Sequence, residues 1–157
     1  MITIKRAEAS HLKKICELEK KCFASPWSEE AMAREIVNSN SLVLVAEQSD
    51  ELLGFAMCML MYDEIHITNI AVAEACRRTG IGDGLLRQMI RLCEDNGHTE
   101  LTLEVRESNT AAIKLYENNG FVTEGVRKHY YEDNGENALI MWRRGNNGGS
   151  GCKCSQK

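Results

Sequence analysis

The sequence predicts a mixed α/β domain in which a central sheet is flanked by about four helices. Two observations lead there. Segments with apolar residues at helical spacing alternate with segments of strand period through residues 1–144, with no internal repeat, no long linker and a single proline at Pro26. At 157 residues, 43% hydrophobic and 27% charged, the chain also has the length and balance of one domain around one core.

Taken in order, Ser10 reads as the N-cap of a first helix, with Leu12, Ile15, Cys16 and Leu18 at helical spacing and an end near Cys22. Ser28 followed by Glu29 and Glu30 opens a second helix to about residue 37, because a capping hydroxyl and first-turn acids suit the positive helix end. Segments 42–47 and 52–62 are strand-like, and the polar turn 48–51 joins them as a hairpin. Segment 64–72 is another strand. A glycine-bearing loop and a long helix from about 82 to 96 follow, with Leu85, Leu86, Met89, Ile90 and Cys93 on one face and Gly97 as the stop. A strand over 101–106 and a helix over 109–119, closed by Gly120, come next. Two last strands, about 122–131 and 138–143, flank the turn Asp133-Asn134-Gly135. From Gly145 the run of Gly, Asn and Ser has nothing to bury, which predicts a domain over 1–144 and a flexible tail over 145–157.

Several function classes are disfavoured. The longest largely apolar run, 52–62, falls short of the roughly 18 residues that cross a bilayer, so no membrane partner is expected. The first six residues lack the pattern of a secretory leader, so the expected location is the cytoplasm. Seven cysteines at irregular spacings, five of them in periodic apolar segments, read as reduced thiols. Cys152-x-Cys154 supplies two thiols where a structural zinc takes about four ligands, so no metal is expected. A formal net charge of −4 repels a polyanion and favours a basic peptide or amine, while an anionic cofactor needs only a local positive site.

The stretch Arg77-Arg78-Thr79-Gly80-Ile81-Gly82-Asp83-Gly84 lies between a strand and a long helix, where backbone N–H groups and the helix dipole bind phosphate. Asp83 stands where a P-loop needs lysine, and the glycine spacing is not that of a dinucleotide fold. Arg77-x-x-Gly80-x-Gly82 instead resembles the coenzyme A pyrophosphate loop of the GNAT acetyltransferase superfamily; an ordinary glycine-rich turn is the alternative. In the strand before it, large apolar residues fall at 65 and 67 and then at 70 and 72. That three-residue step moves them to the opposite face, which predicts a bulge near Thr68 or Asn69 unless the strand is simply buried on both faces. The resemblance implies a mostly antiparallel sheet with a splayed parallel pair. It further implies that Ile70, Ala71 and Val72 bond the pantetheine arm through their main chain, that the Val72 N–H polarises the acetyl carbonyl, and that Arg77, Arg78, Thr79, Gly80, Ile81 and Gly82 hold the pyrophosphate.

On the next strand Leu101, Leu103 and Val105 share one side, leaving Thr102, Glu104 and Arg106 on the other. Glu104 reads either as one half of a salt bridge, with Arg106 or another base, or as a general base lining a cleft. Asn109-Thr110-Ala111-Ala112-Ile113-Lys114-Leu115-Tyr116-Glu117-Asn118-Asn119-Gly120-Phe121 closely resembles the GNAT pattern N-x-x-A-x-x-x-Y-x-x-x-G-F. By that resemblance Asn109 bonds the cofactor and Tyr116 stands beside the coenzyme A sulfur as the acid. Leu103-Glu104-Val105-Arg106, the segment around Phe23 and Trp27, and Arg127-Lys128-His129-Tyr130-Tyr131 are similar to the RimI-type N-terminal alanine acetyltransferases of ribosomal proteins over residues 2–143. This implies acetyl-CoA as co-substrate, Glu104 as base, and a basic ribosomal protein of the small subunit, number eighteen of its series, as acceptor. Phe23, Trp27, Tyr130 and Tyr131 then border the peptide groove, or else serve packing. A small amine or a lysine is the alternative acceptor, and a non-catalytic acyl-CoA sensor is the alternative of another class.

Overall fold

The computed structural model describes residues 1–145. Strands β1 (Thr3–Arg6), β2 (Ser41–Gln48), β3 (Glu51–Met61), β4 (Glu64–Val72), β5 (Glu100–Arg106), β6 (Val122–Arg127) and β7 (Ala138–Arg144) accompany helices α1 (Leu12–Cys22), α2 (Glu29–Val37), α3 (Ile81–Asp95) and α4 (Thr110–Glu117). The strands form a seven-stranded mixed sheet in the order β1-β2-β3-β4-β5-β7-β6. The β4·β5 ladder is parallel, and the ladders of β1, β2 and β3 and of β5, β7 and β6 are antiparallel. Among the described residues, no helix is long and apolar enough to cross a membrane. The tail with Cys152 and Cys154 lies outside the described residues.

The chain divides into two compact units, residues 1–60 with 67–91, and residues 61–66 with 92 onward. In the first, Ile15, Leu18, Met32, Val45, Phe55 and Met57 form a dry cluster from α1, α2, β2 and β3. Each such side chain contributes roughly 1.5–3 kcal/mol by leaving water, which explains the apolar faces of those elements. β3 approaches β4 closely at Gly54, where a Cβ would lie 2.8 Å from the Ala71 carbonyl oxygen, so only glycine fits. In the second unit, Leu101, Leu103, Phe121 and Met141 are buried.

Three expectations are corrected, and one strand, β1, was not expected. Ser10 does not cap α1: it sits inside a 3₁₀ turn, Ala9–His11, and the Glu8 N–H donates to His11 Nδ1 at 2.9 Å, so α1 begins at Leu12. The strand β1 carries no apolar alternation and exists because Thr3↔Glu47 through Arg6↔Leu44 pair it with β2. The long helix starts at Ile81, one residue early, and β6 stops at Arg127 rather than near 131. Residues after Arg127 bond locally instead: the Gly135 N–H donates to the Tyr131 carbonyl at 2.7 Å, and the His129 N–H to Asn137 Oδ1 at 2.9 Å.

The three-residue step in β4 coincides with an inward-facing polar residue. Burial alternates without a break at Ile65, Ile67, Asn69 and Ala71. Asn69 takes an inward place that an apolar residue would normally hold, and its Nδ2 donates to Glu19 Oε1 on α1 at 2.8 Å. Ser28 behaves as expected, its Oγ accepting the Ala31 N–H at 3.0 Å.

Candidate active site

Between β4 and α3 the chain makes a 3₁₀ turn, Glu74–Cys76, and then passes through Arg78 at φ 65° and Gly80 at φ 89°. A Cβ on Gly80 would meet nothing within 4 Å, so glycine is needed there for its backbone angle and not for space. Arg78 holds a left-handed angle that costs a non-glycine residue roughly 1–3 kcal/mol, an outlier of the kind that gathers at ligand-binding turns. The first N–H groups of α3, from Ile81 and Gly82, have no intrahelical acceptor, and the helix dipole adds partial positive charge to them. Arg87, one turn on, holds the Asp83 carboxylate at 2.5 Å. Main-chain donors at a helix start, the exposed Arg78 and a neutralised acid fit a phosphate group.

Arg77 does not reach outward with Arg78. Its Nε donates to the Val72 carbonyl at 3.1 Å and its Nη2 to Cys22 Sγ at 3.6 Å, tying the loop to the ends of β4 and α1. Beside it lies a cavity of about 710 Å³ lined by Leu18, Lys21, Cys22, Ala73, Glu74 and Arg77. Ile70 and Val72 are half-buried on the face of β4 opposite the buried Ala71. Phe23 and Trp27, in the segment between α1 and α2, are half-buried and pack against the apolar cluster of this unit. The Trp27 N–H donates to Glu19 Oε2 at 3.1 Å. All these residues belong to the first unit.

The second unit carries the acid and base candidates. Glu104 is the exposed residue of β5, and its Oε2 accepts Arg127 Nε at 3.0 Å. Its ion-pair partner is therefore Arg127, while Arg106 binds Asp133 at 2.9 Å and Glu136 at 3.4 Å. A side chain one-third exposed, held by one partner on one oxygen, keeps its other oxygen available. Tyr116 is buried on α4 with its ring 5.7 Å from that of Phe121, and burial pushes its hydroxyl up to about 12. The phenol therefore stays protonated far above neutral pH. Asn109 caps α4, its Oδ1 accepting the Ala112 N–H at 3.1 Å, a bond that leaves the Nδ2 donor outside the cap. The ladder that joins β4 to β5 consists of Ile65↔Leu101 and His66↔Thr102.

Tyr130 and Tyr131 meet edge to face at 5.0 Å, with the Arg106 guanidinium 4.0 Å over the Tyr131 ring. Tyr130 is exposed and Tyr131 half-buried, so the first presents its ring to solvent while the second anchors the segment between β6 and β7. The Ser108 N–H donates to Glu136 Oε2 at 2.8 Å and fixes the other end of that segment.

Three residues escape a reading of the sequence. Glu19 had a signal, since it stands four residues after Ile15 on the apolar stripe of α1, where a carboxylate is out of place. Asn69 is the polar residue inside the three-residue step. Arg127 had none, because its meeting with Glu104 across 23 residues depends on sheet order alone.

A family model described as acetyltransferase (GNAT) family matches residues 12–121. Across 143 residues, covering 90% of this chain and 96% of the other, the sequence is 37% identical to the ribosomal protein bS18-alanine N-acetyltransferase of Escherichia coli strain K12. The crystal structure of the Escherichia coli enzyme of that name aligns with a TM-score of 0.84 at 36% identity, covering 92% of this chain and 94% of that one. Arabidopsis thaliana NAA60, in complex with acetyl-CoA, aligns at 0.85 over 92% of this chain and 99% of that one. At 15% identity that likeness shows the fold alone.

Proposed function

This chain belongs to the GNAT acetyltransferase family and is an N-acetyltransferase, and on that premise we propose that it moves the acetyl group of acetyl-CoA to the α-amine of an N-terminal alanine, with ribosomal protein bS18 as acceptor. The observation that carries the acceptor is the 37% identity to the Escherichia coli enzyme along nearly its whole length. An acceptor of that kind places the work in the cytoplasm.

The chemistry needs a proton taken from the ammonium and one given to the leaving sulfur, and the second unit holds a group suited to each. In this reading Glu104 takes the proton from the ammonium, directly or through water, so that the nitrogen lone pair attacks the thioester carbonyl carbon. The carbon–sulfur bond then breaks, and Tyr116, still a phenol at neutral pH, gives its proton to the departing thiolate. The nitrogen sheds its remaining extra proton through water, from which Tyr116 is reprotonated. Main-chain donors at Ile70, Ala71 and Val72 orient the pantetheine arm, the Val72 N–H taking the carbonyl oxygen as negative charge develops there. Arg78, Thr79, Gly80, Ile81 and Gly82 grip the pyrophosphate, and Asn109 Nδ2 adds a donor. Arg77 contributes by bracing the loop against Val72. Phe23, Trp27, Tyr130 and Tyr131 border the peptide.

The acceptor's own acidity favours an α-amine. With a pKa of about 7.7–8.0 it costs about 1 kcal/mol to neutralise at pH 7, whereas a lysine near 10.4 costs roughly 4–5 kcal/mol. A single carboxylate without a second base suits the former. Intact-mass analysis of a basic alanine-first peptide incubated with acetyl-CoA tests this: one acetyl group is expected on the free peptide and none once its N-terminus is blocked. Equal acetylation of the blocked peptide contradicts the α-amine reading and moves the acceptor to lysine.

A further inference from the structure

Glu19 is 1% exposed and lies among the apolar residues of α1, where a carboxylate is costly to hold. Burial pushes its carboxyl up, and two donors oppose that push: Trp27 N–H at 3.1 Å on Oε2 and Asn69 Nδ2 at 2.8 Å on Oε1. They come from different elements. Trp27 sits in the segment that carries both aromatic candidates of this unit, and Asn69 immediately precedes Ile70, Ala71 and Val72. The proposed chemistry uses neither bond.

An apolar residue of similar volume would pack the same face of α1 without a desolvation cost, so the value of the carboxylate is in what it fixes. Among the described residues Asn69 Oδ1 is buried with no partner, and Glu19 is the group to which that amide bonds. We propose that Glu19 is a positioning residue, one that ties the segment 23–28 to β4 so that the acceptor-binding loop and the main chain of residues 70–72 keep one register. The inference rests on the reading of Phe23 and Trp27 as peptide contacts, and it concerns the first unit alone.

Two measurements on Glu19→Leu and Glu19→Gln test it. Hydrogen exchange in the free protein is expected to speed up about tenfold or more at the Trp27 amide and across 69–72 in Glu19→Leu, where both donors lose their acceptor. In Glu19→Gln, the side-chain oxygen can take the Trp27 N–H and its amide can donate to Asn69 Oδ1, so exchange should stay within about threefold of wild type. In steady-state acetylation of the alanine-first peptide, Glu19→Leu should raise the peptide KM about tenfold while kcat and the acetyl-CoA KM stay within about twofold, and Glu19→Gln should restore the peptide KM. If Glu19→Leu fails to fold, Asn69→Ala, which removes one donor, is expected to shift the peptide KM in the same direction by about threefold. Unchanged exchange at 23–28 in Glu19→Leu, or across 69–72 in Asn69→Ala if that variant has to stand in, overturns the proposal whatever the acceptor proves to be. A uniform loss of kcat and both KM values overturns it too, as the mark of general destabilisation. Failure of the wild-type protein to acetylate the peptide sinks the functional reading instead, and exchange still decides the role of Glu19.

Discussion

Glu104→Gln should lower kcat for an alanine-first peptide about 10²- to 10³-fold at pH 7 and leave the acetyl-CoA Kd within about twofold, since general-base catalysis commonly contributes 10²–10⁴. The amide keeps the shape of the carboxylate and an oxygen that can accept Arg127 Nε, so β5 and its ion-pair neighbour have no reason to move. What disappears is the capacity to receive a proton. The deficit should depend on pH in a particular sense, because the α-amine has a pKa of about 7.7–8.0 and above it arrives already neutral. Stopped assays at pH 7 and pH 9 check this: the ratio of wild-type to variant turnover is expected to shrink at the higher pH. A ratio near one at both values removes Glu104 from the reaction and leaves it as a structural partner of Arg127.

Tyr116→Phe should lower kcat about 10²-fold, again with acetyl-CoA affinity nearly intact, by taking away the proton destined for the thiolate. It should also change stability against pH. The Tyr116 hydroxyl is raised in the folded state to about 12, whereas in the unfolded chain it titrates near 10. A group raised in this way contributes stability that is fully present below about pH 10 and is lost as pH climbs through about 12, because the unfolded chain gives up its proton first. Two units correspond to about 2–3 kcal/mol. Urea unfolding at pH 9 and pH 11.5 therefore should show wild type losing more stability than Tyr116→Phe over the interval. Parallel losses would mean that the hydroxyl is not buried against solvent, and a variant with wild-type turnover would remove it as the acid.

Much of the fold was legible because the signals were local. Ser28 with two following glutamates marks the start of α2, and Asn109 marks that of α4, because a cap is decided within three residues. The loop before α3 was legible for the same reason: glycine at position 80 and a helix directly after it need no knowledge of the rest of the chain. What escaped was decided at a distance. β1 is a strand only through β2, and Arg127 meets Glu104 only because β7 lies between their strands and puts small Ala138 opposite both Arg106 and Arg127. The three-residue step at Asn69 was seen, but a sequence does not disclose that a carboxylate on α1 accepts from an inward amide on β4. The segment after Arg127 looked like strand because its tyrosines favour strands, yet Arg106 and Asn137 hold it in local turns.

The central claim is that main-chain donors at residues 70–72 and 80–82 hold acetyl-CoA, from which every proposed proton movement follows. Calorimetric titration of the folded full-length chain with acetyl-CoA tests it most directly. Saturable binding at a stoichiometric site, with a Kd of about 1 μM to 1 mM and retained in Glu104→Gln and Tyr116→Phe, is the predicted result. No uptake by protein shown to be folded in the same sample would contradict it.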